Sequence, residues 1–172
     1  MNKLMTAIFA SAFFCLSSFS PVWADGWGNT NWGMSITEVE MATEGKLILY
    51  GQDFVGKVYS HKFQDDIAIG KYTFEVYLNF ESGKLDKVAL KVVSNEKYAS
   101  YLYLLDELKK KYGSPSFGPK EKRDSISQIN ETEWVTRDTV IRLSFAQLFI
   151  QSQGQSTLIK YSSRQSASTG NL

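Results

Sequence analysis

The chain has little cysteine, histidine or proline, one, one and three among 172 residues, and the first two are residues on which many enzyme sites depend. The cysteine, Cys15, lies inside an apolar leader, so no disulfide can form in the folded part and packing must stabilise it. Any Ser-His-Asp or Cys-His arrangement would have to run through His61, and no Gly-x-Ser-x-Gly elbow accompanies it. Zinc needs nitrogen and sulfur ligands that one histidine cannot supply. Lys+Arg 19 against Asp+Glu 18 is near balance, which argues against nucleic acid or an anionic membrane as the default partner. Beyond the leader, no apolar run approaches the about 20 residues that cross a bilayer.

What is present begins with that leader. Lys3 is followed by an uncharged run through Leu16, a break at Ser17-Ser18, then Pro21 and Val22-Trp23-Ala24, with small or modest residues at the −3 and −1 positions. The pattern predicts a secretory signal peptide over residues 1–24, cleaved after Ala24, and hence a periplasmic or secreted domain. Phe14 stands where a lipobox wants a small residue, so Cys15 reads as part of the apolar run rather than as a lipidation site. The roughly 150 residues that follow suit one domain with a real core.

Ser35-Ile36-Thr37-Glu38 is a capping box, flanked by Met34 and Val39 at the positions of a hydrophobic staple. It predicts a helix from about Ile36 to Glu44, with Gly45 free to leave it in a left-handed conformation. From Leu47 the period becomes two. Strands are expected at Leu47–Tyr50, at Phe54–Phe63, and along Tyr72, Phe74, Val76, Leu78 and Phe80, where Lys71, Thr73, Glu75, Tyr77 and Asn79 point the other way. Glu81-Ser82-Gly83-Lys84 turns this strand into a partner carrying Val88, Leu90 and Val92.

A second helix starts at Ser94 or Asn95 with Tyr98, Tyr101, Leu102, Leu105, Leu108 and Tyr112 as its apolar stripe, and Gly113 and Pro115 end it. After a polar linker, Ser114–Ser127, strands recur at about Gln128–Thr136, Thr139–Leu148 and Thr157–Tyr161, the first two joined at Arg137-Asp138. The Ser-rich end, 162–172, reads as a disordered tail. The expected architecture is a single α+β domain over 25–161: an antiparallel sheet of six to seven strands, two helices on one face, and two weakly similar halves.

Trp32-Gly33-Met34-Ser35-Ile36-Thr37-Glu38-Val39 resembles the W-G-M-S-x-x-E-V opening of many small exported bacterial proteins of unknown function. Leu108-Lys109-Lys110-Lys111-Tyr112-Gly113-Ser114-Pro115 is similar to their L-x-x-K-Y-G-x-P helix ending. A more distant likeness is to small helix-then-sheet envelope domains, which include the BamE-like outer-membrane assembly factors and the β-lactamase-inhibitor proteins. The two strings cover about a tenth of the chain and consist largely of capping signals. The resemblance implies bacterial origin and an α+β fold rather than an activity.

Each candidate site has a plain alternative. His61, between Ser60 and Lys62, reads as a surface or edge position of a strand. Asp65-Asp66 would offer oxygens to a hard cation, but without a D-x-[DN]-x-[DN]-G pattern they read as a solvated loop. Gly26, Gly28 and Gly33 match no phosphate-binding spacing. Trp27 and Trp32 would stack on a sugar or peptide, although tryptophans just before a capped helix usually fold over the core. Lys109-Lys110-Lys111 complements a helix dipole as readily as it binds an anion. Tyr98, Tyr101 and Tyr103 resemble a stacking platform, but two of them fall on the apolar stripe. Asn130-Glu131-Thr132 is a formal glycosylation sequon without meaning in a bacterial envelope.

No catalytic, cofactor or metal residue is therefore assigned. The expected function is a non-enzymatic envelope domain that binds another macromolecule, most simply an envelope or extracellular protein. The alternatives are a small-molecule carrier, an enzyme whose groups meet only in three dimensions, and a purely structural protein. A deep pocket would favour the first two, an exposed sheet edge protein binding.

Overall fold

The computed structural model describes residues 26–52, 58–95, 97–149 and 154–169. The expected signal peptide, 1–24, and the first part of the expected Phe54–Phe63 strand lie outside them.

Ser35 and Glu38 start α1 (Ile36–Ala42) through the reciprocal bonds that their spacing allows. The Glu38 amide donates to Ser35 Oγ at 3.3 Å, and the Ser35 amide to the Glu38 carboxylate at 2.7 Å. These bonds hold the Glu38 carboxyl below its usual pKa. The helix ends in a Schellman-type pair, Gly45 N–H to Glu40 C=O at 2.8 Å and Glu44 N–H to Met41 C=O at 3.3 Å. Left-handed geometry falls on Glu44 as well as on the expected Gly45, with φ of 56° and 72°.

The strands are β1 (Leu47–Gln52), β2 (Val58–Phe63), β3 (Ile67–Ile69), β4 (Tyr72–Glu81) and β5 (Lys84–Val92), then, after α2 (Lys97–Tyr112), β6 (Phe117–Arg123), β7 (Ser127–Val135), β8 (Thr139–Leu148) and β9 (Gln155–Ser163). All pairs are antiparallel, in the order β1-β2-β4-β5-β9-β8-β7-β6, with β3 beside β4. Each half is a helix followed by a strand meander, and the halves meet where their last strands pair, Val88 opposite Tyr161 and Leu90 opposite Ile159.

The β4–β5 hairpin follows the sequence pattern residue by residue. Tyr72, Phe74, Val76, Leu78 and Phe80 are all buried, as are Val88, Leu90 and Val92. Positive φ at both Ser82 and Gly83 gives the tight reversal that matches strand twist. The same sheet face carries Ile141, Leu143, Phe145, Ile159 and Trp134, and both Val39 of α1 and Leu104 of α2 join this one core.

Three expectations need correction. Among the described residues the sheet has nine strands rather than six to seven, because β3 is an extra short strand and β6 lies inside the expected polar linker. The buried face of α2 is Ser100, Tyr101, Leu104 and Leu108, whereas Tyr98 and Leu102 of the expected stripe are each 49% exposed. Residues 101–105 are apolar without interruption, so periodicity alone leaves the face open. The sheet decides it: Tyr101 Oη lies 3.2 Å from Thr132 Oγ1, and the Thr157 hydroxyl donates to the Lys97 carbonyl. Finally, β9 continues to Ser163 and Arg164–Thr169 form a short helix, α3, where a disordered tail was expected.

Candidate functional site

His61 is not at the surface. It stands in β2 opposite Leu49 and Leu78, 7% exposed, its ring meeting Phe80 edge-on at 5.2 Å, with Nδ1 buried and unpartnered. Burial lowers its pKa, opposed by the charge of Glu40 on α1. A neutral ring enclosed this way is a core residue, with no hydroxyl or thiol aligned on it in the register.

The other candidates also separate. Asp65 and Asp66 lie at the turn between β2 and β3, and among the described residues no three His, Cys, Asp or Glu side chains converge as a metal site would require. Lys110 is bound to Asp106 at 2.6 Å and Glu107 at 2.9 Å, while the Lys111 ammonium lies over the Tyr112 ring at 5.2 Å, so the lysines do not converge on an anion. Tyr101 is buried against Phe145, and Tyr103 packs edge-on against Tyr72. Trp27 is a core residue, 7% exposed and edge-on to Phe63 at 5.7 Å. Trp32 is only half-buried, its indole N–H donated to Thr139 Oγ1 at 2.9 Å.

The solvated sheet face is charged but internally matched. Glu75 receives Lys62 at 2.9 Å, Lys91 at 3.6 Å and the Tyr77 hydroxyl at 3.0 Å. The bond from Lys62 holds the Glu75 carboxyl low, while burial and the Glu75 charge push the Tyr77 phenol up to about 12. Across the sheet Arg142 binds Glu133 at 2.7 Å and Glu131 at 3.3 Å. Such networks leave little charge to recognise a partner electrostatically.

The two edges of the sheet differ. β6 is solvated along its whole length and carries Pro119, Lys120, Glu121, Lys122 and Arg123, with a register break between Phe117 and Lys120. Proline, charge and a bulge are the usual guards against unwanted strand pairing. β1 has a break of its own, between Leu49 and Gly51, but Leu47–Gln52 contains no charge and no proline. Ile48, Leu49 and Tyr50 are 49%, 63% and 64% exposed. Leu49 shares the core side with His61 and Ile48 points to the other side with Lys62, so β1 displays apolar groups on both faces. Sequence reasoning placed this strand but missed its exposure, since a run such as Leu-Ile-Leu-Tyr ordinarily signals burial.

Clefts lined by the described residues are open to solvent. One of about 860 Å³ and one of about 400 Å³ flank Trp32; others of about 410 and 430 Å³ lie at Lys71–Thr73 and at Phe117–Lys120. No protein-family model, curated protein or solved structure matches this chain.

Proposed function

We propose that the chain is a non-enzymatic binding domain of the cell envelope that receives an extended, uncharged segment of another protein along the free edge of β1. The observation that carries this reading is the contrast between the edges: β6 is guarded, whereas β1 presents Ile48, Leu49 and Tyr50 beside a backbone edge that no other described strand pairs. Strand addition supplies main-chain hydrogen bonds, and alternate side chains of the guest give specificity. A guest rich in charge would desolvate it against Leu49 and Ile48 without compensation, so the matching segment is apolar or neutral. Exposed apolar residues on a long free edge are an aggregation hazard unless a partner uses them.

The test is site-specific photocrosslinking in cells from position 49 and, as a control, from position 122. An adduct at 49 that maps to one neutral, extended segment of another protein, is lost in Ile48→Lys and is absent at 122 supports the proposal. Equal adducts at both positions, or adducts solely between copies of this chain, would overturn it.

A further inference from the structure

The N-terminal segment passes the β7–β8 turn and the start of α3, where Asn31 and Trp32 share a cleft with Arg137, Asp138 and Arg164. The clefts of about 860 and 400 Å³ meet there, sharing Trp32, Ser163 and Gln165 as common walls. The ring between them is held in place: its N–H is spent on Thr139, and its body packs against the core. A half-exposed aromatic ring with a fixed orientation is a ready platform.

The rest of the larger cleft is polar. Asn31, Gln165, Arg137 and Arg164 bring planar amide and guanidinium groups, and Trp32 is its sole large apolar surface. A peptide guest would need several apolar pockets for its side chains, which this wall lacks. A sugar ring needs one aromatic face for its C–H side and flat, two-pronged hydrogen-bonding groups for neighbouring hydroxyls. Charge narrows the class further. Arg137 extends almost wholly into solvent, its side chain 94% exposed and 3.7 Å from Asp138, and Arg164 makes no ion pair among the described residues. Two guanidiniums against one carboxylate favour a ligand bearing carboxylates, which Arg binds through paired N–H donors. The neighbouring cleft extends the path past Trp32, which suits a chain of rings better than a single sugar; Glu81 and Asp86 stand beside Lys84 on its wall, so the ligand's carboxylates belong at the Arg137 and Arg164 end.

We infer that the Trp32 groove is a binding site for an acidic oligosaccharide, a polymer containing uronic acid or another carboxylated sugar. One ring lies on the indole, and its carboxylates meet Arg137 and Arg164. This site shares no residue with the β1 edge and stands apart from the reading given for it.

The experiment is calorimetric titration of the full mature protein with an oligogalacturonate, with a neutral glucose oligomer of equal length and with hexaglutamate. Saturable binding of the oligogalacturonate is expected, at least about tenfold tighter than of either other probe. Arg137→Ala combined with Arg164→Ala, both on the surface, should weaken it about tenfold and reduce its salt dependence. Trp32→Ala should abolish it, while Trp32→Phe keeps a ring against the core and retains binding. Absence of saturable binding, equal affinity for hexaglutamate, or full affinity in the double arginine variant with an unchanged circular dichroism spectrum would overturn the assignment.

Discussion

Replacing His61 with phenylalanine should make the protein more stable, not less. The imidazole is 7% exposed, meets Phe80 edge-on, and leaves Nδ1 buried without a hydrogen-bond partner. An unsatisfied buried polar atom costs about 1–3 kcal/mol, and a phenyl ring removes it at similar shape. Its slightly larger volume takes back part of that gain, so the net expectation is about 1 kcal/mol. The same burial makes wild-type stability depend on pH. Because the folded-state pKa lies below the usual 6.5, the unfolded chain binds the proton more readily. The stabilisation of the neutral ring is complete above the unfolded pKa and is lost as pH falls from about 6.5 towards the folded value. Urea unfolding followed by tryptophan fluorescence reads both effects. With a slope of about 1–3 kcal/mol per molar urea, a gain of 1 kcal/mol raises the midpoint by about 0.3–1 M at pH 8. Between pH 8 and pH 5 the wild type should lose more midpoint than the variant. A variant less stable at pH 8, or one with the same pH dependence as wild type, would refute the reasoning.

Phe74→Ala should cost about 3–5 kcal/mol, because the ring is fully buried and held between Ile67 of β3 and Val92 of β5, which cannot easily collapse into the space. Thr73→Ala, one residue along on the solvated face, should change stability by less than about 0.5 kcal/mol, and similar urea midpoints for the two would mean the register is wrong. Glu75→Gln should flatten the acid limb of stability: a carboxyl held low by Lys62 contributes above the unfolded pKa and stops contributing as pH falls through the lowered one. An acid limb identical to wild type in a urea series from pH 6 to pH 3 would contradict this.

The readable parts of this chain are those where one local rule decides. In α1 the capping box needs only residues 35 and 38, and in β4 a strict period of two meets a sheet wet on one side. β6 escaped notice because an edge strand solvated on both faces pairs through its backbone, so its side chains carry no alternation. The face of α2 was hidden for the opposite reason, too many apolar residues in succession, and only the distant Thr132 and Thr157 select among them. The candidate sites fared alike. His61 could be named as the sole histidine, but its depth is set by Leu49 and Leu78, partners that no local window contains. Trp32 and Trp27 look equivalent in sequence, and tertiary packing alone sends one to the core and leaves the other in a groove.

The joining of the halves through β5 and β9 leaves the middle of the sheet open until the last strand is made. Val88 and Tyr161 are about 70 residues apart, so among the strand pairs the contact at the middle of the sheet closes the longest loop and comes late by entropy alone. Until β9 emerges, the first half carries a raw inner edge flanked by Val88, Leu90 and Val92, and the second half is missing the strand that covers β8. A chain stopped short of Gln155 would therefore be two incomplete meanders side by side, each offering a sticky seam, rather than a slightly shortened domain.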